Sequence, residues 1–399
     1  MRIGIDCLEI KPNLAGGQVT FILGLLDGLS EIKKEDVQFV LFCSSENKQV
    51  IKPIANKYKF SLIEVRWYNK YLRALFVLVP LILNSKYLWR VFTNYYSNIF
   101  KINKTIEQNC DLLYVFTTTL NSYNLSVPTV LSMHDIQHVH FPHFFSWIRL
   151  RIRALRFENS ALVATKIQAS SNFIKEDLYN FFKFIKPNVI SVIEEGVDLK
   201  DFTKPTNIDI KKKYKLPEKF LFFPAALWKH KNHILVLKAL KLIEEKNKIK
   251  IPLILTGSKQ SAYPDIIQFI KENDMNYVRY LGQVSWEEII SLHQNAYFLI
   301  TAVLYESSSL PIIEAAASGL PIIASNTPPN IEMSKFLTMN LFDPNNVDEL
   351  EVILFNCWND SEIQKQSESN KINVKRYSWN RIAKVYMYEF NQLHIKINS

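Results

Sequence analysis

Short apolar runs alternate with helix-length segments along most of this chain. Arg2 to Ile5 reads as a strand. After a loop ending in Gly16-Gly17, the residues Ile22, Leu25, Leu26 and Leu29 fall at the i, i+3, i+4, i+7 spacing of one helix face. Further strand-like runs are Val37 to Phe42, Leu112 to Phe116, Thr129 to Ser132, Ile167 to Ala169 and Val189 to Ile193. This alternation predicts a parallel sheet covered by helices on both faces. The pattern then starts again. Strands are expected at Leu221 to Phe223, Leu253 to Thr256, Val278 to Leu281, Tyr297 to Ile300 and Pro321 to Ala324. Helices are expected at His233 to Leu242, at Trp286 to Gln294, and from Pro311, a residue suited to a first helical position.

Between the halves, Glu195 to Lys213 has turn formers and charges but little period, which places a hinge near Gly196 to Pro205. The expected fold class is α/β: two doubly wound, Rossmann-like domains in tandem, residues 1–199 and 200–376. Ligands of such sheets bind beyond the carboxyl ends of the strands, and two facing domains would put the site in the cleft between them. The length of 399 residues agrees with two domains, or three, at roughly 150 residues each.

Composition narrows the class. Glycine is scarce: nine occur, where average usage would give about 28. The four cysteines, Cys7, Cys43, Cys110 and Cys357, form no C-x-x-C pair and read as reduced thiols of a cytosolic protein. Asp6 interrupts the N-terminal apolar run, so no signal peptide is expected. The longest apolar stretch, Ala74 to Leu83, contains Pro80 and falls short of the ~18 residues a membrane span needs.

The net charge of +10 is unevenly placed. From Val65 to Ile106 there is no acidic residue, whereas Arg66, Lys70, Arg73, Lys86, Arg90, Lys101 and Lys104 all lie there among seven tryptophans and tyrosines. Arg149, Arg153 and Arg156 share a helical face that extends this character. The expectation is an aromatic, basic surface that lies on an anionic membrane leaflet. The other reading is a core helix with solvated lysines. No nucleic-acid recognition motif accompanies the charge, so no nucleic-acid partner is expected.

Four segments carry candidate chemistry. Tyr305 to Glu314 follows a buried strand and enters a helix N-terminus, where free N–H groups and the helix dipole attract anions. Ser307, Ser308 and Ser309 add hydroxyl donors ahead of Leu310, and Glu306 and Glu314 stand eight residues apart. A carboxylate at Glu314 can accept two ribose hydroxyls. The competing reading is that Glu314 complements the dipole and the serines cap the helix. The second segment is Lys229-His230-Lys231-Asn232, with Asn232 as N-cap of the following helix and cations crowded at its positive end. A bound diphosphate would relieve that crowding; a solvated basic turn is the alternative. Third, His134-Asp135 follows a strand, where His134 contacts a sugar hydroxyl or merely packs. His138, His140 and His143 are poorly spaced for zinc. Fourth, Gly16-Gly17 lets backbone approach a phosphate or sugar, or makes an ordinary tight turn. No D-x-D tripeptide occurs, so the expected chemistry needs no metal and no cofactor; cationic and backbone groups would stabilise a departing diphosphate.

Taken in order, these features resemble the glycosyltransferase family 4 enzymes of GT-B fold. The resemblance runs through Gly16-Gly17, His134-Asp135, Glu195-Gly196-Val197-Asp198, His230-Lys231-Asn232, Glu306 to Glu314 with Gly319 and Pro321, and Tyr377-Ser378-Trp379. It implies that residues 377–399 form a helix crossing back to the N-terminal domain, which binds the acceptor. It implies retaining transfer of mannose or another hexose from a nucleoside diphosphate sugar to a saccharide acceptor, in cell-surface polysaccharide synthesis such as O-antigen or capsule. A lipid-linked acceptor and a peripheral place on the inner face of the cell membrane are the accompanying expectations. By position, Lys231 matches the phosphate-binding lysine, Glu306 a donor-sugar contact, Glu314 the ribose-binding glutamate, and His134 a histidine near the reacting sugar. Three departures stand out. Ser307-Ser308-Ser309 replaces a common Gly-Phe-Gly. Ala225 stands where an arginine is usual, with Lys229 as a substitute charge. Glu195 stands where Asn commonly precedes Gly196. Two rival readings share the architecture: a nucleotide-sugar epimerase, and a degenerate, non-catalytic partner subunit.

Overall fold

The computed structural model describes residues 1–11, 17–32, 36–360 and 362–398. It divides into two compact units, Met1–Glu195 with Trp379–Ser399, and Gly196–Ser378.

The N-terminal unit holds β1 (Arg2–Asp6), β2 (Gln38–Cys43), β3 (Ser61–Glu64), β4 (Leu112–Val115), β5 (Thr129–Ser132), β6 (Lys166–Ala169) and β7 (Ile190–Val192). They form one parallel sheet in the order β3-β2-β1-β4-β5-β6-β7. Helices cover both faces, so the central strands are buried along nearly their whole length rather than alternating. All four residues of β4 are buried, for example. The helix Gly17–Ser30 packs on the helix Trp379–Asn398. The close approach needs Gly28, where a Cβ would lie 2.5 Å from the carbonyl oxygen of Trp379. Phe21, Leu25 and Leu29 meet Trp379, Tyr386 and Phe390 in the core.

The C-terminal unit holds β8 (Leu221–Pro224), β9 (Leu253–Thr256), β10 (Val278–Tyr280), β11 (Phe298–Thr301), β12 (Ile322–Ser325) and β13 (Asn340–Phe342), in the order β10-β9-β8-β11-β12-β13. Each sheet therefore reverses its strand order once. The reversals fall between β1 and β4 and between β8 and β11, and crevices at such points are where doubly wound sheets bind ligands.

Two strands carry no clear signal in the sequence. Ser61–Glu64 and Asn340–Phe342 are short edge strands, only partly buried, so neither needs a long apolar run. The first division falls between Glu195 and Gly196 rather than after residue 199. Val197 N–H donates to the Tyr377 carbonyl at 2.8 Å and ties this stretch to the second unit. The acid-free window becomes the helices Lys70–Phe76, Leu78–Leu83 and Lys86–Ile99, inserted between β3 and β4.

Candidate functional site

At the reversal in the C-terminal sheet, the loops after β8 and β11 lie together. Leu304 N–H donates to the His230 carbonyl at 2.9 Å and joins them. Behind the first loop, Gly257 sits at φ +121°, and a Cβ there would lie 2.5 Å from the Ala225 carbonyl oxygen. The backbone at Ala225 thus packs directly on the turn after β9.

Lys229–Lys231 forms a single 3-10 turn. Asn232 stands at the N-cap position of the helix His233–Asn247, but in the left-handed region at φ +58°. Its amide donates to the Pro344 carbonyl at 2.8 Å and makes no side-chain cap, which corrects the capping bond expected from the sequence. Burial, with Lys231 adjacent, pushes the His230 imidazole down to about 3. Burial does the same to His233, which stacks on Phe223 at 4.2 Å. Both rings are neutral at pH 7, so the local positive charge is that of the lysines. Lys229 is exposed, whereas Lys231 is turned inward.

Lys231 Nζ lies 3.1 Å from Glu306 Oε2. Only 8% of the Glu306 side chain is exposed, and its other oxygen, Oε1, is buried without a hydrogen-bond partner among the described residues. The helix starts at Leu310, one residue before the expected Pro311, and runs to Ser318. Ser309 occupies the N-cap, yet its buried hydroxyl caps nothing and bonds nothing among the described residues. Capping therefore does not account for this serine. Ser307 and Ser308 are half-buried beside it. Buried polar atoms normally find partners; among the described residues Glu306 Oε1 and Ser309 Oγ find none.

Glu314 is buried on the same helix, and its Oε2 stands 3.3 Å from His293 Nε2. The sequence offered no sign of His293, which reads as one polar residue on an otherwise ordinary helix.

His134 belongs to the N-terminal unit, just beyond β5. Its Nε2 lies 2.9 Å from the Phe116 carbonyl, which only accepts, so this nitrogen carries the proton. Its Nδ1 faces Glu195 Oε1 at 3.7 Å, and Phe21 packs edge-on at 5.3 Å. Burial holds the imidazole below its ordinary value. Nε2 is thus engaged, whereas Nδ1 at 3.7 Å from Glu195 makes no hydrogen bond to it. Gly17 opens the first helix and is exposed; Gly16 lies outside the described residues.

Beside the reversal of the N-terminal sheet lies a polar network that sequence reasoning missed. Glu9 Oε1 accepts from Tyr68, Arg73 and Arg156 at 3.2, 3.2 and 2.8 Å. Arg73 also bonds Asn121, whose amide donates to Asp6 at 3.0 Å. Burial pushes Asp6 up to about 6. Arg153 donates to Asp135 at 2.9 Å. Arg73, Arg153 and Arg156 are therefore committed to carboxylates and do not extend a free basic surface. Tyr68, Trp89 and Tyr96 are likewise buried, so about half of the aromatic set expected on that surface belongs to the core.

Comparison with known proteins shows what this chain is similar to. Residues 206–373, nearly the whole C-terminal unit, match the family of glycosyl transferases group 1. Two Rossmann-like sheets in one chain are the GT-B architecture, and the fold class expected from the sequence is the one found. Among curated relatives, O-antigen chain mannosyltransferase B of Escherichia coli is 24% identical over 254 residues, 63% of this chain and 66% of the relative. UDP-Gal:alpha-D-GlcNAc-diphosphoundecaprenol alpha-1,3-galactosyltransferase of Escherichia coli is 30% identical over 165 residues, 40% of this chain and 41% of the relative. The chain thus spans under two thirds of the length of these relatives. Among solved structures, Anabaena HepE in complex with UDP and glucose superposes with a TM-score of 0.73 at 17% identity, covering 98% of this chain and 100% of that one.

Proposed function

We propose that this protein is a retaining glycosyltransferase of family 4. It transfers a hexose, with mannose the first to test, from a nucleoside diphosphate sugar to a saccharide carried on a lipid, in the assembly of a cell-surface polysaccharide. The observation that carries the reading is the pairing of Lys231 with Glu306 at the strand reversal, beside the unpartnered Glu306 Oε1 and Ser309 Oγ. The family match over this unit and the mannosyltransferase relative support it. The galactosyltransferase relative, named for a diphosphoundecaprenol acceptor, supports the lipid linkage.

In the proposed reaction the bond from the sugar's anomeric carbon to the diphosphate oxygen breaks. The acceptor hydroxyl forms the new bond on the same face, and its proton passes to the departing phosphate. No covalent enzyme nucleophile takes part. The Lys231 ammonium takes up the charge that develops on the diphosphate, in a site where it is already oriented. Glu306 contacts the donor sugar and holds Lys231 until the phosphates compete for it. Glu314 receives the ribose. The chemistry proposed needs no metal, and EDTA should leave the rate unchanged. His134, its Nε2 committed to the Phe116 carbonyl, is assigned a place near the reacting sugar, where Nδ1 can accept from a hydroxyl.

The acceptor side is assigned to the N-terminal unit. Trp67, Ile82, Leu83 and Trp147 are each more than three-fifths exposed, close in sequence to Arg66, Arg90 and Arg149. No helix among the described residues is long and apolar enough to cross a membrane. This combination supports peripheral binding to an anionic leaflet, where each nearby cation contributes ~1 kcal/mol. A thermal-shift panel of UDP, GDP, ADP, dTDP and their sugars tests the donor reading. A ligand at 100 times its dissociation constant stabilises the fold by about 2.7 kcal/mol; no shift with any of them would sink the proposal.

A further inference from the structure

His293 lies on the helix Trp286–Asn295, which packs against the helix carrying Glu314. Its side chain has no exposed surface. Phe202 and Phe222 meet the ring edge-on at 5.5 and 5.1 Å, so the surroundings are those of an apolar core. An imidazole in such a place is costly unless its nitrogens are satisfied. Neither nitrogen is aligned in a hydrogen bond with any described residue, yet Nε2 stands 3.3 Å from Glu314 Oε2. A phenylalanine or leucine would fill the same volume without burying polar atoms. The feature that an imidazole adds here is its polar approach to Glu314.

We propose that His293 is a positioning residue for Glu314. The imidazole holds one carboxylate oxygen from inside the domain, which fixes the side-chain torsions and leaves the other oxygen to receive a ribose hydroxyl. The preference of the site for a ribonucleotide over a deoxyribonucleotide then depends on a buried side chain that does not touch the nucleotide. This inference rests on the assignment of Glu314 to the ribose.

The test is calorimetric titration of the full-length protein with UDP, GDP and their 2′-deoxy counterparts. In the unaltered protein, one ribonucleotide binds about tenfold or more tightly than its deoxy form, the size of one charge-assisted hydrogen bond. In His293→Phe and His293→Leu that ratio falls to near one while deoxynucleotide affinity is kept. His293→Gln, which can still donate to the carboxylate, restores much of the ratio. A purely structural role would weaken both nucleotides together. If either apolar variant fails to fold, the other and His293→Gln are read by the same ratio. An unchanged ratio in the folded apolar variant, with a collapsed ratio in Glu314→Ala, overturns the positioning role alone. An unchanged ratio in Glu314→Ala, or no binding of any nucleotide, overturns the ribose assignment and this inference with it.

Discussion

Replacing Lys231 with methionine removes an ammonium held 3.1 Å from a carboxylate that is only 8% exposed. The stem of the side chain is kept, so packing changes little. Stranding one member of a fully buried ion pair costs about 3–5 kcal/mol. Lys231 is 23% exposed, so water already screens part of this pair; the expected cost is about 2 kcal/mol. For a unit of this size that lowers the melting temperature by about 4–8 °C. Lys231→Met combined with Glu306→Gln strands no charge and should recover most of the loss. Nucleotide binding should move differently. Lys231→Met weakens the cognate nucleoside diphosphate by about tenfold to a hundredfold, and the double variant does not recover it. Glu306→Gln alone frees the ammonium from its internal partner. It should bind the diphosphate at least as tightly as the unaltered protein while transfer falls by about a hundredfold or more. Differential scanning calorimetry and isothermal titration read the two effects separately. A Lys231→Met protein as stable as the parent, a double variant no more stable than the single, or undiminished diphosphate binding would each refute the reasoning.

Other consequences follow from the same geometry. His233 is neutral in the folded protein, with its value pushed down to about 3, so it contributes stability that is present above pH 6.5 and lost as pH falls toward 3. His233→Phe should flatten the acid limb of a pH–stability curve by about 1.4 kcal/mol per pH unit in that range; an unchanged slope contradicts the burial argument. Gly257→Ala forces a Cβ to within 2.5 Å of the Ala225 carbonyl at φ +121°. It should cost about 2–4 kcal/mol in thermal unfolding and loosen nucleotide binding; a neutral substitution would show that the backbone contact is dispensable. In flotation with anionic vesicles, the protein should bind at low salt and release at high salt, and Ile82→Asp with Leu83→Asp should abolish binding. Failure of the parent protein to float would remove the membrane assignment.

Much of the fold was legible because it depends on strands buried on both faces. Leu253–Thr256 and Thr129–Ser132 announce themselves as short apolar runs between helical segments, and they were found where expected. The edge strands Ser61–Glu64 and Asn340–Phe342 were hidden, since a strand covered on fewer sides needs fewer apolar residues. The places of Lys231, Glu306 and Glu314 in the fold were legible, since they stand at loop or helix positions that follow a strand. Distant partnerships were not. His293 and Glu314 are joined by the packing of two helices, and Glu9 meets Arg73 and Arg156 only once β1 lies beneath the helical insertion. Charge counting misled for the same reason: Arg73 looks like part of a basic surface until its partner Glu9, far away in sequence, is known. Asn232 shows a further limit. Its place at the helix start could be read, but the carbonyl of Pro344 that claims its amide could not.

The central claim is sugar transfer from a nucleoside diphosphate donor at the site built around Lys231 and Glu306. The most direct measurement is mass spectrometry of lipid-linked saccharides incubated with the purified protein and a panel of nucleotide sugars. The account predicts that one donor adds a hexose to an acceptor, with retained anomeric configuration, and that Glu306→Gln abolishes the addition. Conversion of the donor to an isomer without any acceptor product, or equal transfer by the parent and Glu306→Gln, would contradict it.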